Sequence, residues 1–467
     1  MDTTDTIAAI ATAPGEAGIG MIRISGKGAL GIADQIFVSP RKIRPSRCPT
    51  HTVHYGMIRT RRGSRRAGMP AAVDEVLLTV MRRPRTYTRE DVVEISCHGG
   101  MTPVRRILEL VLQAGARLAQ PGEFTQRAFL NGRIDLVQAE AVLHIIRSRS
   151  EAALTAAVHA LQGELSRRVA LLRERLISCL APLDAAIDFP EEHMPRPIRT
   201  RIRNSISDAL ARTEGLLRGA DKGIMLQQGI SAVLLGCPNV GKSSLMNALV
   251  EYERAIVTHI PGTTRDVIEE TITVHGVPVR LADTAGIMSN GCAITRASVQ
   301  RSLSFSAQAD LIILVVDAAR PRPKAETILA QRVRNKPVII VLNKIDRKPQ
   351  RDLRHLRDIV PGARVIRACA LTGGGLAQLR RAIRDAISSG TVSRDEHLVI
   401  ANLRQKNQLE QCRASLRRAQ AVIAERGFDE CLAFELKCAL GHLNALTGAD
   451  STEEVLTEIF TQFCIGK

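Results

Sequence analysis

Eight consecutive residues, Gly236-Cys-Pro-Asn-Val-Gly241-Lys242-Ser243, constrain the fold of this chain more than any other stretch. They follow the β-branched run SAVLL and precede SSLMNALV, which reads as helix, so a complete G-x-x-x-x-G-K-S lies between a strand and a helix. Backbone N–H groups of such a loop, together with the helix amino terminus, point at phosphate oxygens. Lys242 supplies a point charge and the Ser243 hydroxyl can ligate magnesium. From about Gly229 to Ser389 the short runs SAVLL, TITV, VRLA, LIILVV, VIIVL and RVIRA alternate with helical stretches. That pattern predicts a largely parallel sheet flanked by helices.

Three further segments occur in the order that a guanine-nucleotide site needs. Asp283-Thr284-Ala285-Gly286 ends the VRLA strand, where the Asp can hold magnesium through water and the Gly amide can meet a terminal phosphate. Asn343-Lys344-Ile345-Asp346 ends VIIVL; a carboxylate there can accept from both the ring N–H and the exocyclic amine of guanine, a pair that adenine does not offer. Cys369-Ala370-Leu371 ends the next strand and can place a backbone amide on the guanine oxygen. Together with the phosphate loop, these segments read as a Ras-like P-loop α/β G domain that hydrolyses GTP.

Around that domain the sequence changes character. Residues 1–120 mix β-branched runs (TIAAIAT, GMIRIS, VDEVLLTVM, VVEIS) with glycine turns and an amphipathic stretch from Pro103 to Ala114, an α+β module. Apolar residues from Leu154 through Val158, Leu161, Leu165, Val169, Leu172, Leu176, Leu180 and Leu183 to Ile187 step by three and four, which predicts one helix about 50 Å long, kinked near Pro182. Leu409, Cys412, Leu416, Ala419 and Ile423, then Leu432, Leu436, Leu440 and Leu443, repeat the spacing near the carboxyl end. Two such halves bury their stripes most economically against each other, with the G domain inserted between them. The expected division is 1–120, 121–228, 229–389 and 390–467, and the proline-bearing basic stretch 189–203 is expected to be bend and loop.

Of 467 residues, 65 are Lys or Arg and 47 Asp or Glu, a net charge of +18 that favours phosphate-rich partners; a solvated basic face is the alternative. The absence of Trp and the 3% of aromatic residues argue against a base-stacking platform. The arginine-rich stretches 41–47 and 61–66 suit exposed loops. Ten Cys without a C-x-x-C pair read as free thiols, and no apolar run is long enough to span a bilayer, so a cytoplasmic protein is expected.

DTIAAIATAPGEAGIGMIRISG at the start, YTREDVVEISCHGG (87–100), PGEFTQRAFLNGRIDLVQAEAV (121–142), AIVTHIPGTTRD (255–266) and the terminal FCIGK (463–467) resemble the MnmE (TrmE) family of tRNA modification GTPases along the whole chain. The resemblance implies an amino-terminal domain that dimerises and binds 5-formyltetrahydrofolate or a related folate, a helical domain, and an inserted G domain that pairs with its copy around potassium. It also implies a heterotetramer with the flavoprotein MnmG, which carries the FAD. The implied reaction installs an aminomethyl or carboxymethylaminomethyl group at carbon 5 of the tRNA wobble uridine.

By position, the resemblance assigns GTP to Asn239, Val240, Gly241, Lys242, Ser243, Ser244, Thr258, Thr263, Thr264, Asp283, Thr284, Ala285, Gly286, Asn343, Lys344, Asp346, Cys369, Ala370 and Leu371. Potassium falls to Asn239, Thr258, Ile260 and Thr263, where a monovalent cation can do the work of an arginine finger; simple loop shaping is the other reading of Asn239. Magnesium falls to Ser243 and Thr264, and folate to Arg23, Glu94, Arg133 and Lys467, each of which could instead be an ordinary surface ion pair. Cys464 lies in the tail associated with the modification reaction, although a lone Cys is more often a buried small residue.

Three positions depart from the family. The glutamate that activates water there aligns with Thr295, and no acidic residue lies between Asp283 and Asp310. GTP binding is therefore expected to survive with slower turnover, and a GTP-binding scaffold with weak hydrolysis is the alternative, as is a shifted loop that supplies the missing group. A ribosome-associated RNA-binding switch is a third reading. Cys369 stands for a usual Ser, and Arg89 for a common Gly, which would matter if that position needs positive φ.

Overall fold

The computed structural model describes residues 5–60, 72–188, 196–254, 269–274, 276–283, 309–319, 324–347, 358–388, 400–425 and 427–467. By its internal packing the chain forms two compact units. One comprises Met1–Leu143, Ala160–Leu210 and Gln411–Lys467, the other His144–His159 and Ala211–Glu410. The basic stretch 61–66 lies outside the described residues.

The first unit opens with β1 (Ile7–Ile10), β2 (Ala17–Ser25), α1 (Ala29–Ile36), β3 (Phe37–Val38), β4 (Thr52–Arg59), β5 (Ala72–Met81), β6 (Val92–Gly99), α2 (Met101–Gln113) and β7 (Arg117–Leu118). Its sheet runs β3-β4-β5-β6-β2-β1-β7, antiparallel except where β1 meets β7. Ile22, Ile24, Leu78 and Ile95 bury one face beneath Leu30 of α1 and Ile107 of α2. The register sets Arg23 directly opposite Glu94. Helices α3 (Glu123–Leu130) and α4 (Leu136–Arg147) follow. α4 begins with a reciprocal cap: the Gln138 amide donates to Asp135 Oδ1 at 2.9 Å, and the Asp135 amide donates to Gln138 Oε1 at 3.0 Å.

The single long helix expected from Leu154 to Ile187 is two helices. α5 (Glu151–Leu161) ends where Gly163 turns left-handed (φ 79°), and α6 (Glu164–Asp188) begins behind it and continues through Pro182. The Gly163 amide caps Ala160 O at 3.0 Å. The inward face changes at the break: α5 buries Ala153, Ala157 and Ala160 and leaves Leu154 exposed, whereas Leu165, Val169, Leu172, Leu176, Leu180 and Leu183 of α6 are buried as expected. The loop expected over 189–203 is also corrected: from Arg196 the chain is α7 (Arg196–Arg218), with Ile202, Ile206 and Ala209 buried at helical spacing. Pro197 sits in its first turn, where a missing N–H breaks no helical bond.

In the second unit, α8 (Ala220–Gln228), β8 (Ile230–Leu235), α9 (Lys242–Arg254), β9 (Glu269–Val274), β10 (Val277–Asp283), β11 (Leu311–Asp317), α10 (Lys324–Val333), β12 (Val338–Asn343), β13 (Arg364–Arg367) and α11 (Leu376–Ser388) form a doubly covered α/β sheet. Its order is β13-β12-β11-β8-β10-β9, parallel except for the β9 edge. Leu234, Leu281, Ile313 and Val341 face one core, while Val233, Ile312, Val316 and Ile340 face the other. Burial on both faces is why these strands read as continuous apolar runs.

The chain ends with α12 (Leu403–Ala424), α13 (Asp429–Thr447) and α14 (Glu453–Thr461). Within the first unit α6 packs along α13, and Arg173 Nε donates to Asn444 Oδ1 at 2.6 Å. The two helical stripes, remote in sequence, meet as expected. Among the described residues no helix is long and apolar enough to cross a membrane.

Candidate functional site

β8 and α9 hold the phosphate loop between them, and its geometry explains its residues. Gly236 adopts φ 155°, and a Cβ there would lie 2.3 Å from Val315 O of the neighbouring strand. Gly241 adopts φ 93°, with Asn343 Nδ2 where a Cβ would go. Between them Asn239 is left-handed (φ 62°), a conformation Asn tolerates better than most residues. Lys242, 6% exposed, folds its ammonium back onto Gly236 O at 3.0 Å and Cys237 O at 3.2 Å. Ser243 and Ser244 lie exposed in the first turn of α9.

Parallel pairing brings the other segments to the same sheet edge. β10 ends with Asp283 beside Leu234, and β12 with Asn343 beside Asp317. Asn343, 1% exposed, clasps two loops: its Nδ2 donates to Val240 O at 2.9 Å and its Oδ1 accepts from the Ala370 amide at 3.2 Å. Lys344 (φ 62°) donates to Asn239 O and pairs with buried Asp317 at 2.8 Å. The Cys369 thiol donates to Asp346 Oδ1 at 3.2 Å and so helps orient that carboxylate, as a hydroxyl could. Leu371 is exposed.

The clasp thus joins Asn239, Val240, Gly241, Lys242, Asn343, Lys344, Asp346, Cys369 and Ala370. Thr258, Ile260, Thr263, Thr264, Thr284, Ala285, Gly286 and Thr295 lie outside the described residues. Asp317 was missed in the sequence reading. Its signal is an acidic residue closing an otherwise apolar strand, LIILVVD.

In the first unit Arg23 and Arg133 lie near one aromatic ring, Tyr87, and Arg23 joins Glu94 and the carboxyl-terminal tail. Arg23 Nε donates to Glu94 Oε1 at 2.8 Å and its Nη1 to Gly466 O at 3.1 Å, tying the carboxyl-terminal tail to β2. Its guanidinium lies 5.5 Å from the Tyr87 ring centre and 5.7 Å from that of Phe124, while Arg133 sits 4.8 Å from Tyr87. Burial, then the neighbouring Arg23, pulls the Lys467 ammonium below its usual range, and Glu94 opposes them. Burial pushes the Tyr87 phenol up.

The tail is held by packing and by one obligatory glycine. Phe463 is buried against Phe460, their ring centres 5.7 Å apart. Gly466 adopts φ 95°, with Ile10 O only 2.5 Å from where a Cβ would stand. Cys464 is exposed, and its carbonyl accepts from the Lys467 amide at 3.3 Å. Arg89 is left-handed (φ 60°), as expected for a position where Gly is common, and its guanidinium donates to Asn131 O at 2.8 Å.

Two family models match: "GTP-binding protein TrmE N-terminus" over residues 6–133 and "MnmE helical domain" over 136–464. The chain is 46% identical over 465 residues to the tRNA modification GTPase MnmE of Symbiobacterium thermophilum, covering 99% of each. It is 41% identical to that of Alkaliphilus oremlandii, again covering 99% of each. Among solved structures, the G domain of the T. maritima FeoB iron transporter is 28% identical, covering 34% of this chain and 98% of that one, with a TM-score of 0.25. With a phosphate loop tied through Asn343 to the loop at Ala370, and similarity running from end to end, the chain belongs to the MnmE (TrmE) family of tRNA modification GTPases.

Proposed function

We propose that this chain hydrolyses GTP and, with a FAD-dependent MnmG partner, serves the installation of an aminomethyl or carboxymethylaminomethyl group at carbon 5 of the tRNA wobble uridine. The observation that carries the nucleotide half is the Asn343 clasp, which fixes the phosphate loop and the purine-reading loop as one body. Asp346 then offers guanine a carboxylate for its N–H pair. Magnesium would be held by Ser243 and Thr264. Potassium would be held by Asn239, whose main-chain oxygen is already engaged by Lys344, together with Thr258, Ile260 and Thr263. A monovalent cation there supplies positive charge where the phosphates gain negative charge.

The folate reading rests on charge. Arg23 and Lys467 share a single carboxylate, Glu94, Arg133 lies over the Tyr87 ring that Arg23 also approaches, and such a surplus of cations suits a dianionic reduced folate. A homodimer working as a heterotetramer with MnmG, and a cytoplasmic setting, complete the proposal.

Thr295, at the position of the family glutamate, favours a second reading: a GTP-binding scaffold with weak turnover. Single-turnover hydrolysis in potassium against sodium separates the two. Potassium should accelerate the reaction, and Thr295→Glu should raise the rate about 10²-fold, the usual contribution of a positioned base. GTP binding without potassium acceleration would leave the scaffold.

A further inference from the structure

Beside the Tyr87 ring lies a cleft of about 470 Å³ lined by His51, Met81, Pro84, Arg85, Thr86, Tyr87, Arg89 and Arg133. Four of these carry or can carry positive charge and none is acidic. The nearest acid in sequence, Glu90, is turned inward: its Oε2 accepts from Ser25 at 2.7 Å and its Oε1 from Arg127 at 3.2 Å. Arg85 is exposed and forms no side-chain hydrogen bond or ion pair among the described residues. Arg133 is committed only through one nitrogen, Nη1, to Tyr87 O at 3.0 Å. Cations gathered without counter-charge repel one another, so an anion that enters gains from all of them.

The cleft continues the proposed folate site. Tyr87 is shared: Arg23, beside Glu94 and the tail, packs within 5.5 Å of its ring centre, and Arg133, on the cleft wall, within 4.8 Å. Along this line the chemistry changes from a carboxylate acceptor at Glu94 to cations alone. A folate has the matching polarity, since its pterin carries the N–H donors and its glutamyl end the carboxylates.

We propose that the cleft is a subsite for the γ-linked glutamyl tail of folates, with Arg85 and Arg89 the residues that read chain length beyond the first glutamate. The proposal rests on the folate reading above. Each added γ-glutamyl residue brings one carboxylate, and each arginine in reach can pair with it.

The test measures equilibrium binding of mono- and pentaglutamyl 5-formyltetrahydrofolate to the full-length protein, wild type and Arg85→Gln/Arg89→Gln, at two salt concentrations. The pentaglutamyl form should bind the wild type about tenfold more tightly, with the advantage shrinking at high salt. The double variant should lose that advantage and keep its monoglutamyl affinity, which also reports that it is folded. Equal binding of both forms by the wild type overturns the proposal and leaves the folate site standing. A tail advantage that persists in the double variant also overturns it. Failure of the wild type to bind either form removes the folate reading itself. Loss of tRNA binding by the double variant, with folate binding unaltered, would assign the cleft to RNA phosphate instead.

Discussion

At the scale of single residues, backbone geometry decides what substitution does. Arg89 holds φ 60°, where a side chain costs about 1–2 kcal/mol against the carbonyl that follows it. Its exposed hydrogen bond to Asn131 O returns only part of that. Arg89→Gly relieves the strain but adds about 0.5–1 kcal/mol of unfolded-chain entropy. The glycine variant should therefore be at least as stable as the parent in urea unfolding. Arg89→Val, whose branched Cβ suits this region worst, should be less stable by more than about 1 kcal/mol. The reverse order would mean that the guanidinium contact dominates. The sequence pointed to this position only through a pattern in which Gly is usual. Asp317 shows the opposite limit, because its partner Lys344 is remote in sequence and no local spacing links them.

At the scale of elements, legibility followed burial. β11 and β12 are buried along their whole length and read plainly as apolar runs. β4 was missed because it leaves Val53 and Tyr55 exposed, so its alternation is not hydrophobic-in, polar-out. α7 departs from the loop expected over 189–203 because prolines and arginines crowd its start, although Ile202 and Ile206 stand at helical spacing. The α4 cap was written in Asp135 and Gln138, and it carries a pH signature. Burial pushes the Asp135 carboxyl above its ordinary 3.8. A folded-state pKa raised in an acid means that the folded chain takes up the proton first as pH falls. The ionised group therefore costs stability above its folded pKa, and that cost disappears as pH drops from that value to 3.8. Asp135→Asn keeps an acceptor for the Gln138 amide without the charge. Unfolding should show the variant gaining on the parent at pH 7 relative to pH 4, and Asp135→Ala, which also removes the charge, should show the same trend set lower by about 1 kcal/mol for the lost cap. A difference between Asn and parent that is flat with pH would refute the buried-charge account.

At the scale of the whole molecule, the insertion was legible because two kinds of periodicity alternate along the chain. The cluster at the tail was legible only through the family resemblance, since Arg23 and Gly466 stand 443 residues apart and no local spacing joins them. Net charge lies between these cases: +18 says that phosphate is attractive and says nothing of where. The structure narrows this through α7, whose inward face is Ile202, Ile206 and Ala209 and whose outward face carries Arg201 and Arg203. Arg199, on the same helix, already meets Gly427 O and Asp429. Arg201 and Arg203 form no ion pair among the described residues, so a phosphate backbone need break none to reach them. If tRNA uses this face, affinity falls linearly with the logarithm of salt, and each lost phosphate contact removes about 0.7–0.9 from the slope. Arg201→Gln/Arg203→Gln should weaken tRNA binding about tenfold at low salt, flatten the slope by about one to two, and leave GTP binding unchanged. Arg199→Gln should instead act on stability with the slope preserved, because its charge is spent within the fold. Two variants with equal slopes would show that the basic excess acts diffusely, as a field around the molecule with no particular helix face as its seat.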